Sequence, residues 1–285
     1  MRIGWIGLGA MRTPMATRLH NAGLNVSVYN RTESKAVAFK EKGLTVYTTP
    51  LDLAKQVDLA FIMLSDKSAI DAVLTSDFWE QMTGKIVVNM STIAPSESLA
   101  LGKIAEQYRV TYLEAPVSGS VGAAQAGALL ILVAGNEAVV SELKPIFAHL
   151  GSQTFYLGQL GQGTGTKLSI NALLAQMGVA YSEALLLAKE LGVNQEQFGQ
   201  VVSQSGMNSP LFQAKKDMWL RSAYPAAFSL KLMAKDVRLA KNELGEYSEL
   251  PFLFQAEELY SRAERAGLGE SDMAAVYDYL EKRED

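Results

Sequence analysis

The sequence predicts an α/β fold: an N-terminal doubly wound, Rossmann-type domain, then an all-helical domain, joined by one long interdomain helix. Three observations predict it. Short, near-continuous apolar runs alternate with amphipathic stretches through the first half of the chain. A glycine-rich turn follows the first run directly. After a second glycine-rich segment at 158–163, the strand pattern stops.

The apolar runs predict strands at 3–6, 26–29, 45–47, 59–64, 86–89, 111–113, 130–133 and 154–156. Amphipathic periodicity predicts helices between them at 15–22, 34–42, 96–108 and 138–150. Such strands, apolar without alternation and separated by helices, belong in a parallel sheet covered on both faces. Thr49-Pro50-Leu51-Asp52 reads as an N-cap, a first-position proline and a first-turn acid. The long helix is expected over 164–191, closed by Gly192. Further helices are expected at 195–204, 211–221, 230–244, 252–266 and 272–282. The domains are therefore drawn at 1–162 and 163–285. The stretch 168–188 is apolar nearly all round but carries Asn171, Gln176, Ser182 and Glu183. It is read as a buried helix, not a membrane span, and its burial hints at packing against a partner subunit.

Composition narrows the function. In 285 residues there are 26 Lys+Arg against 30 Asp+Glu, a net charge of −4, with no basic block to hold nucleic acid. The absence of cysteine excludes disulfides and thiolate chemistry. His20 and His149 lie too far apart in sequence for ligand-like spacing, so no metal site is expected. No targeting segment stands out ahead of the first strand, which makes a soluble, cytoplasmic location the expectation.

The first strand runs into Gly7-Leu8-Gly9-Ala10-Met11-Arg12, a G-x-G-x-x-G turn with arginine at its third glycine. The first glycine permits the tight turn, and the second lets backbone N–H groups approach a pyrophosphate at a helix N-terminus. Arg12 is expected to push the helix outward or to project its side chain into solvent. The second strand ends in Asn30-Arg31-Thr32, where an NAD enzyme usually carries an acid for the ribose 2′-hydroxyl. A neutral Asn30 removes repulsion against a 2′-phosphate, and Arg31 supplies a charge-assisted partner for it. NADP(H) is thus the expected cofactor. Met63, Leu64 and Ser65 close the fourth strand and should line the same crevice. Thr92 follows the fifth, with two readings open: a cofactor contact, or the cap of the helix near Ser96.

Lys167 lies one turn into the long helix, with Asn171 four residues on and so on the same face. A lysine in so apolar a segment is a candidate proton donor for carbonyl reduction; the alternative is a side chain that snorkels to solvent. The loop after the sixth strand holds Ser118, Gly119 and Ser120, suited to a substrate carboxylate or simply to a tight turn. Lys231 and Lys235 share a helix face, which alone reads as a solvated surface. Phe212, Trp219 and Phe228 are the side chains expected to shape substrate choice.

Taken in order, these motifs resemble the β-hydroxyacid dehydrogenase family, which includes 3-hydroxyisobutyrate dehydrogenases, tartronate semialdehyde reductases and glyoxylate/succinic semialdehyde reductases. The resemblance is carried by G-L-G-x-M with Pro14-Met15-Ala16, M-L-S-D at Met63, N-M-S-T at Asn89, A-P-V-S-G at Ala115, G-x-G-x-x-x-K-x-x-x-N from Gly161 to Asn171, and K-D at Lys235. It implies that Lys167 is the acid/base and that Ser118, Gly119 and Asn171 contact substrate. It places Lys235 near cofactor or substrate, and it implies dimers or tetramers. Asn30-Arg31-Thr32 resembles the NADPH-using semialdehyde reductase branch. Arg12 and Ser120 depart from family glycines, and Lys167 separates the chain from imine reductases. The expectation is an NADPH-dependent reductase of a small aldehyde acid. The alternatives are a 3-hydroxy acid dehydrogenase, a tartronate semialdehyde reductase, or a silent dinucleotide-binding protein.

Overall fold

A computed structural model describes residues 1–245 and 249–282. The chain divides into two compact units, Met1–Lys167 and Leu168–Asp285.

In the first unit nine strands alternate with eight helices among the described residues. The strands are β1 Arg2–Ile6, β2 Asn25–Tyr29, β3 Thr45–Val46, β4 Leu59–Ile62, β5 Ile86–Asn89, β6 Thr111–Glu114, β7 Val117–Ser118, β8 Leu129–Val133 and β9 Gly151–Tyr156. The helices are α1 Arg12–Asn21, α2 Ser34–Glu41, α3 Pro50–Gln56, α4 Lys67–Asp71, α5 Ser76–Gln81, α6 Pro95–Gln107, α7 Val121–Ala126 and α8 Glu137–Phe147. The first six strands form one parallel sheet in the order β3-β2-β1-β4-β5-β6, the doubly wound order.

Strand residues feed two cores in alternation, as the two-residue pleat requires. Ile3, Trp5, Val28, Phe61, Val88 and Leu113 pack on one face. Ile6, Ala60, Ile62, Val87 and Tyr112 pack on the other. Burial on both faces is why these strands read as unbroken apolar runs. Caps fix where the helices start: the Thr49 hydroxyl accepts from Asp52 N–H at 3.1 Å, and Asp66 accepts from Ala69 N–H at 2.8 Å.

A second, three-stranded sheet pairs β7 antiparallel to β8 and β8 parallel to β9. Its seam with the main sheet is a backbone bridge in which Glu114 and Ala134 exchange hydrogen bonds of 3.2 and 2.9 Å. The sequence gives no sign of β7, because two residues after a proline are too few to show a period.

The second unit is helical: α9 Gln162–Glu190, which begins in the first unit, then α10 Gln195–Gln204, α11 Pro210–Arg221, α12 Leu230–Asn242, α13 Pro251–Ala263 and α14 Val276–Glu281. The expected helix at 252–266 stops early, passing into a wide turn at Glu264–Leu268 where Gly267 has φ +91°. The expected helix at 272–282 is split into a 3-10 turn, Met273–Ala275, and α14.

Helix α9 is long and apolar enough to cross a membrane by length and composition alone. The structure corrects the reading that it is buried all round. Leu168, Asn171, Ala172, Ala175, Gly178, Ser182 and Leu185 form a buried stripe, while Leu173 and Leu187 are 58% and 61% exposed. Ala172 and Ala175 pack with Met233 and Val237 of α12 and Leu253 and Ala256 of α13. Phe212 and Trp219 also differ from expectation. They are 1% and 3% exposed, with ring centroids 5.9 Å apart in an aromatic core with Tyr181. They therefore help hold the unit together.

Candidate active site

The glycine turn is built by three constraints. Gly7 has φ +101°, and a Cβ there would stand 2.2 Å from the Met63 carbonyl oxygen, so only glycine fits. Its N–H donates to Tyr29 O at 2.9 Å, which closes the turn onto the end of β2. Asn30 does the same with its side chain: Oδ1 accepts from Leu8 N–H at 2.9 Å and Nδ2 donates to Thr32 O at 2.8 Å. The Asn30 amide is therefore committed to holding the turn against the 30–32 segment, a duty the sequence does not reveal. Arg31 and Thr32 beside it are exposed.

The Arg12 side chain is half-buried and folds back over the turn, so that a Cβ built on Gly9 would lie 3.6 Å from Nη1. This corrects the expectation that it points into solvent. Desolvation lowers the guanidinium pKa, and nearby Asp66 opposes that shift. A cation is thus held at the third-glycine position, close to the backbone of Gly9.

Met63 and Leu64 are half-buried at the end of β4, and Ser65 is exposed with its hydroxyl donated to Asp66 at 2.6 Å. Leu64 N–H donates to Ser91 Oγ at 2.9 Å, which binds the ends of β4 and β5 together. Thr92 is half-buried, two residues before Ala94, the N-cap residue of α6, whose N–H donates to Glu97 at 2.9 Å. Ala10 and Met11 lie between the turn and α1.

In the loop after β6, Ser118 is half-buried, and Gly119, at φ +145°, is exposed. Ser120 caps α7, accepting from Ala123 N–H at 3.2 Å. Lys167 is half-buried, three residues beyond the buried Thr164 in the first turns of α9.

Asn171 and Lys235, both in the helical unit, share one partner. Asp236 Oδ2 accepts from Asn171 Nδ2 at 2.6 Å, and Oδ1 pairs with Lys235 Nζ at 2.9 Å. Asp236 is 2% exposed and Asn171 1%. The sequence reading missed Asp236. The available signal was an acid among Met233, Ala234 and Val237, on the apolar face of α12. Lys231, on the exposed side, pairs with Glu270. Among the described residues no cluster could hold a metal ion.

A family profile described as the NAD binding domain of 6-phosphogluconate dehydrogenase matches residues 2–158. A second, described as NAD-binding of NADP-dependent 3-hydroxyisobutyrate dehydrogenase, matches residues 161–280. Glyoxylate/succinic semialdehyde reductase 1 of Arabidopsis thaliana is 36% identical over 283 residues, 98% of each chain. The chain belongs to the β-hydroxyacid dehydrogenase family. Another member, the chloroplastic glyoxylate/succinic semialdehyde reductase 2 of the same plant, is 35% identical over 98% of this chain and 79% of its own. A solved Mycobacterium tuberculosis 3-hydroxyisobutyrate dehydrogenase has the same fold, with a TM-score of 0.89 at 24% identity over 98% of this chain and 99% of that one. This β-hydroxyacid dehydrogenase is therefore an NAD(P)-dependent oxidoreductase of small hydroxy acids. Its glycine turn fits a dinucleotide: backbone closure at Gly7, a Gly9 with no side chain beside the Arg12 guanidinium, and an exposed arginine past β2.

Proposed function

We propose that this enzyme is an NADPH-dependent reductase of a small aldehyde acid of the glyoxylate or succinic semialdehyde kind, with Lys167 as its general acid. The observation that carries the cofactor preference is the pairing of a committed, neutral Asn30 with an exposed Arg31 at the end of β2. Asn30 puts no carboxylate at the strand end to repel a 2′-phosphate, and the guanidinium would supply a bidentate partner for it. Residues 7–11, 30–32, 63–65 and Thr92 would hold the dinucleotide, which supplies the hydride when bound.

The chain's own residues manage the proton and the substrate's charge. The Lys167 ammonium donates to the carbonyl oxygen and stabilises the developing alkoxide. Ser118 and the Gly119 backbone bind the carboxylate, and Asn171 and Lys235 orient the substrate from Asp236. Ser120, already spent on its cap, shapes the loop. Support for the aldehyde acid comes from the two plant relatives named above. Oxidation of a 3-hydroxy acid is the second reading, favoured by the description of the C-terminal profile. We further propose a homodimer or homotetramer in the cytoplasm, an assembly that would cover Leu173 and Leu187.

The test is a panel of glyoxylate, succinic semialdehyde, tartronate semialdehyde and 3-hydroxyisobutyrate with each cofactor, followed by nicotinamide absorbance. Reduction of an aldehyde acid with NADPH favoured over NADH is expected. Turnover of 3-hydroxyisobutyrate alone, or a preference for NADH, would refute the reading. Lys167→Ala should lower kcat by about 10²–10⁴-fold while NADPH still binds.

A further inference from the structure

Glu114 ends β6 with its side chain fully buried, and among the described residues no lysine, arginine or histidine pairs with it. Its partners are the start of α9. Oε1 accepts from the N–H groups of Gly161, Gly163 and Thr164 at 2.9, 2.7 and 3.0 Å. Oε2 accepts from the Thr164 hydroxyl at 3.3 Å and from the Ser98 hydroxyl in a short contact. A Cβ on Gly163 would stand 2.7 Å from Leu132 O and 3.0 Å from this carboxylate, so glycine is what lets the two close together.

The chain of bonds extends away from the helix. Ser98 Oγ lies 3.3 Å from Tyr112 Oη, Asn89 Nδ2 donates to Tyr112 Oη at 3.0 Å, and Ser91 N–H donates to Asn89 Oδ1 at 3.0 Å. Ser91 Oγ in turn accepts from Leu64 N–H. Ser91, Asn89, Ser98, Glu114 and Thr164 are each at most 1% exposed.

The backbone fixes one end of this chain of bonds. A backbone N–H fixes Asn89 Oδ1 as the acceptor, so its Nδ2 donates to tyrosine. Ser98 Oγ donates to Glu114 Oε2 and lies against Tyr112 Oη, where either hydroxyl can be the donor. Five polar groups thus surround the Glu114 carboxylate, and the Thr164 hydroxyl among them also reaches Gly161 O at 3.2 Å. Three of them are the otherwise unpaired N–H groups of a helix terminus, whose dipole favours the negative charge.

We propose that Glu114 is a positioning residue for the reaction: its carboxylate fixes the first turn of α9, and hence Lys167 one turn further on, relative to the ends of β4 and β5. The helix that carries the proton donor and the strand ends that border the cofactor crevice are thereby one hydrogen-bonded body. This rests on Lys167 being the general acid.

Glu114→Gln keeps the shape but turns one acceptor into a donor facing two hydroxyls. With glyoxylate and NADPH, kcat should fall by about 10–100-fold, the range in which small misplacement of a reacting group is felt. The Kd for NADPH, read by quenching of protein fluorescence, should stay within about twofold, since the glycine turn is untouched. Hydrogen exchange at Gly163 and Thr164 should accelerate in the variant. Tyr112→Phe, which leaves every Glu114 contact in place, should lower kcat less than Glu114→Gln does. Should Glu114→Gln fail to fold, Ser98→Ala should still lower kcat with NADPH affinity retained. A wild-type kcat in Glu114→Gln, or in Ser98→Ala where that variant stands in, alongside an inactive Lys167→Ala, would overturn the positioning role and leave the lysine reading intact. A loss of kcat matched by an equal loss of NADPH affinity would overturn it too. Full activity of Lys167→Ala would end both.

Discussion

Asn30→Ala separates two roles that meet at the end of β2. The substitution removes two hydrogen bonds, Leu8 N–H to Oδ1 at 2.9 Å and Nδ2 to Thr32 O at 2.8 Å. Both are neutral bonds, the first part-buried and the second exposed, contributing about 1 kcal/mol or less each. The pair therefore holds the 7–9 turn against the 30–32 segment by about 1–2 kcal/mol. If that order must be restored before a dinucleotide binds, affinity falls by about 5–30-fold. The loss should be the same for NADPH and NADH, because the turn serves the pyrophosphate common to both. Arg31→Ala should differ: loss of a charge-assisted bond worth about 1.5–3 kcal/mol should weaken NADPH by about 10–150-fold and leave NADH nearly unchanged. Binding titrations by protein fluorescence with each cofactor measure all four numbers. Unchanged affinity in Asn30→Ala, or a loss confined to NADPH, would refute the argument that this amide acts on the turn.

Gly7→Ala should abolish binding of both cofactors in the same titration, since its Cβ would stand 2.2 Å from a backbone oxygen at φ +101°; measurable affinity within tenfold of wild type would contradict the geometry. Asp236→Ala removes the buried carboxylate that accepts from Asn171 Nδ2 and pairs with Lys235, so the helical unit should lose about 2–4 kcal/mol. Hydrogen exchange along α12 reads that loss, and a change under about 1 kcal/mol would show that the cluster relaxes without cost. The Arg2 side-chain and backbone hydrogen bonds hold the Asp58 carboxyl at about 2, down from 3.8. A depressed acid stabilises the fold above its unfolded pKa and stops doing so as pH falls through the folded one. The gap in thermal midpoint between wild type and Asp58→Asn should accordingly shrink from about pH 4 to about pH 2, and a constant gap would rule the linkage out.

The parallel sheet was legible because both its faces are covered, so residues such as Leu59, Ala60, Phe61 and Ile62 are all apolar and stand out as a run. The glycine turn was legible because φ +101° at Gly7 admits no other residue. Tertiary partners were not. Arg12 looked solvent-bound from its helix position, yet the space over Gly9 takes its side chain. Phe212 and Trp219 looked like pocket walls because aromatic residues suit both pockets and cores, and one sequence does not separate the two. Asp236 and Glu114 were given no role because an acid is read as surface by default. Their buried donors, Asn171 Nδ2 in one case and the α9 N–H groups in the other, lie 65 and about 50 positions away.

Residue 114 carries two separate tasks on a single Cα. Its backbone stitches the small sheet to the large one, while its side chain answers the start of a helix. In a saturation library selected for growth on turnover, this codon should therefore admit almost nothing. Alanine would keep the stitch and lose the helix, and proline would lose both. Val37, half exposed on α2, should accept most replacements. A tolerance map would thus show a sharp minimum at a position that touches neither substrate nor cofactor.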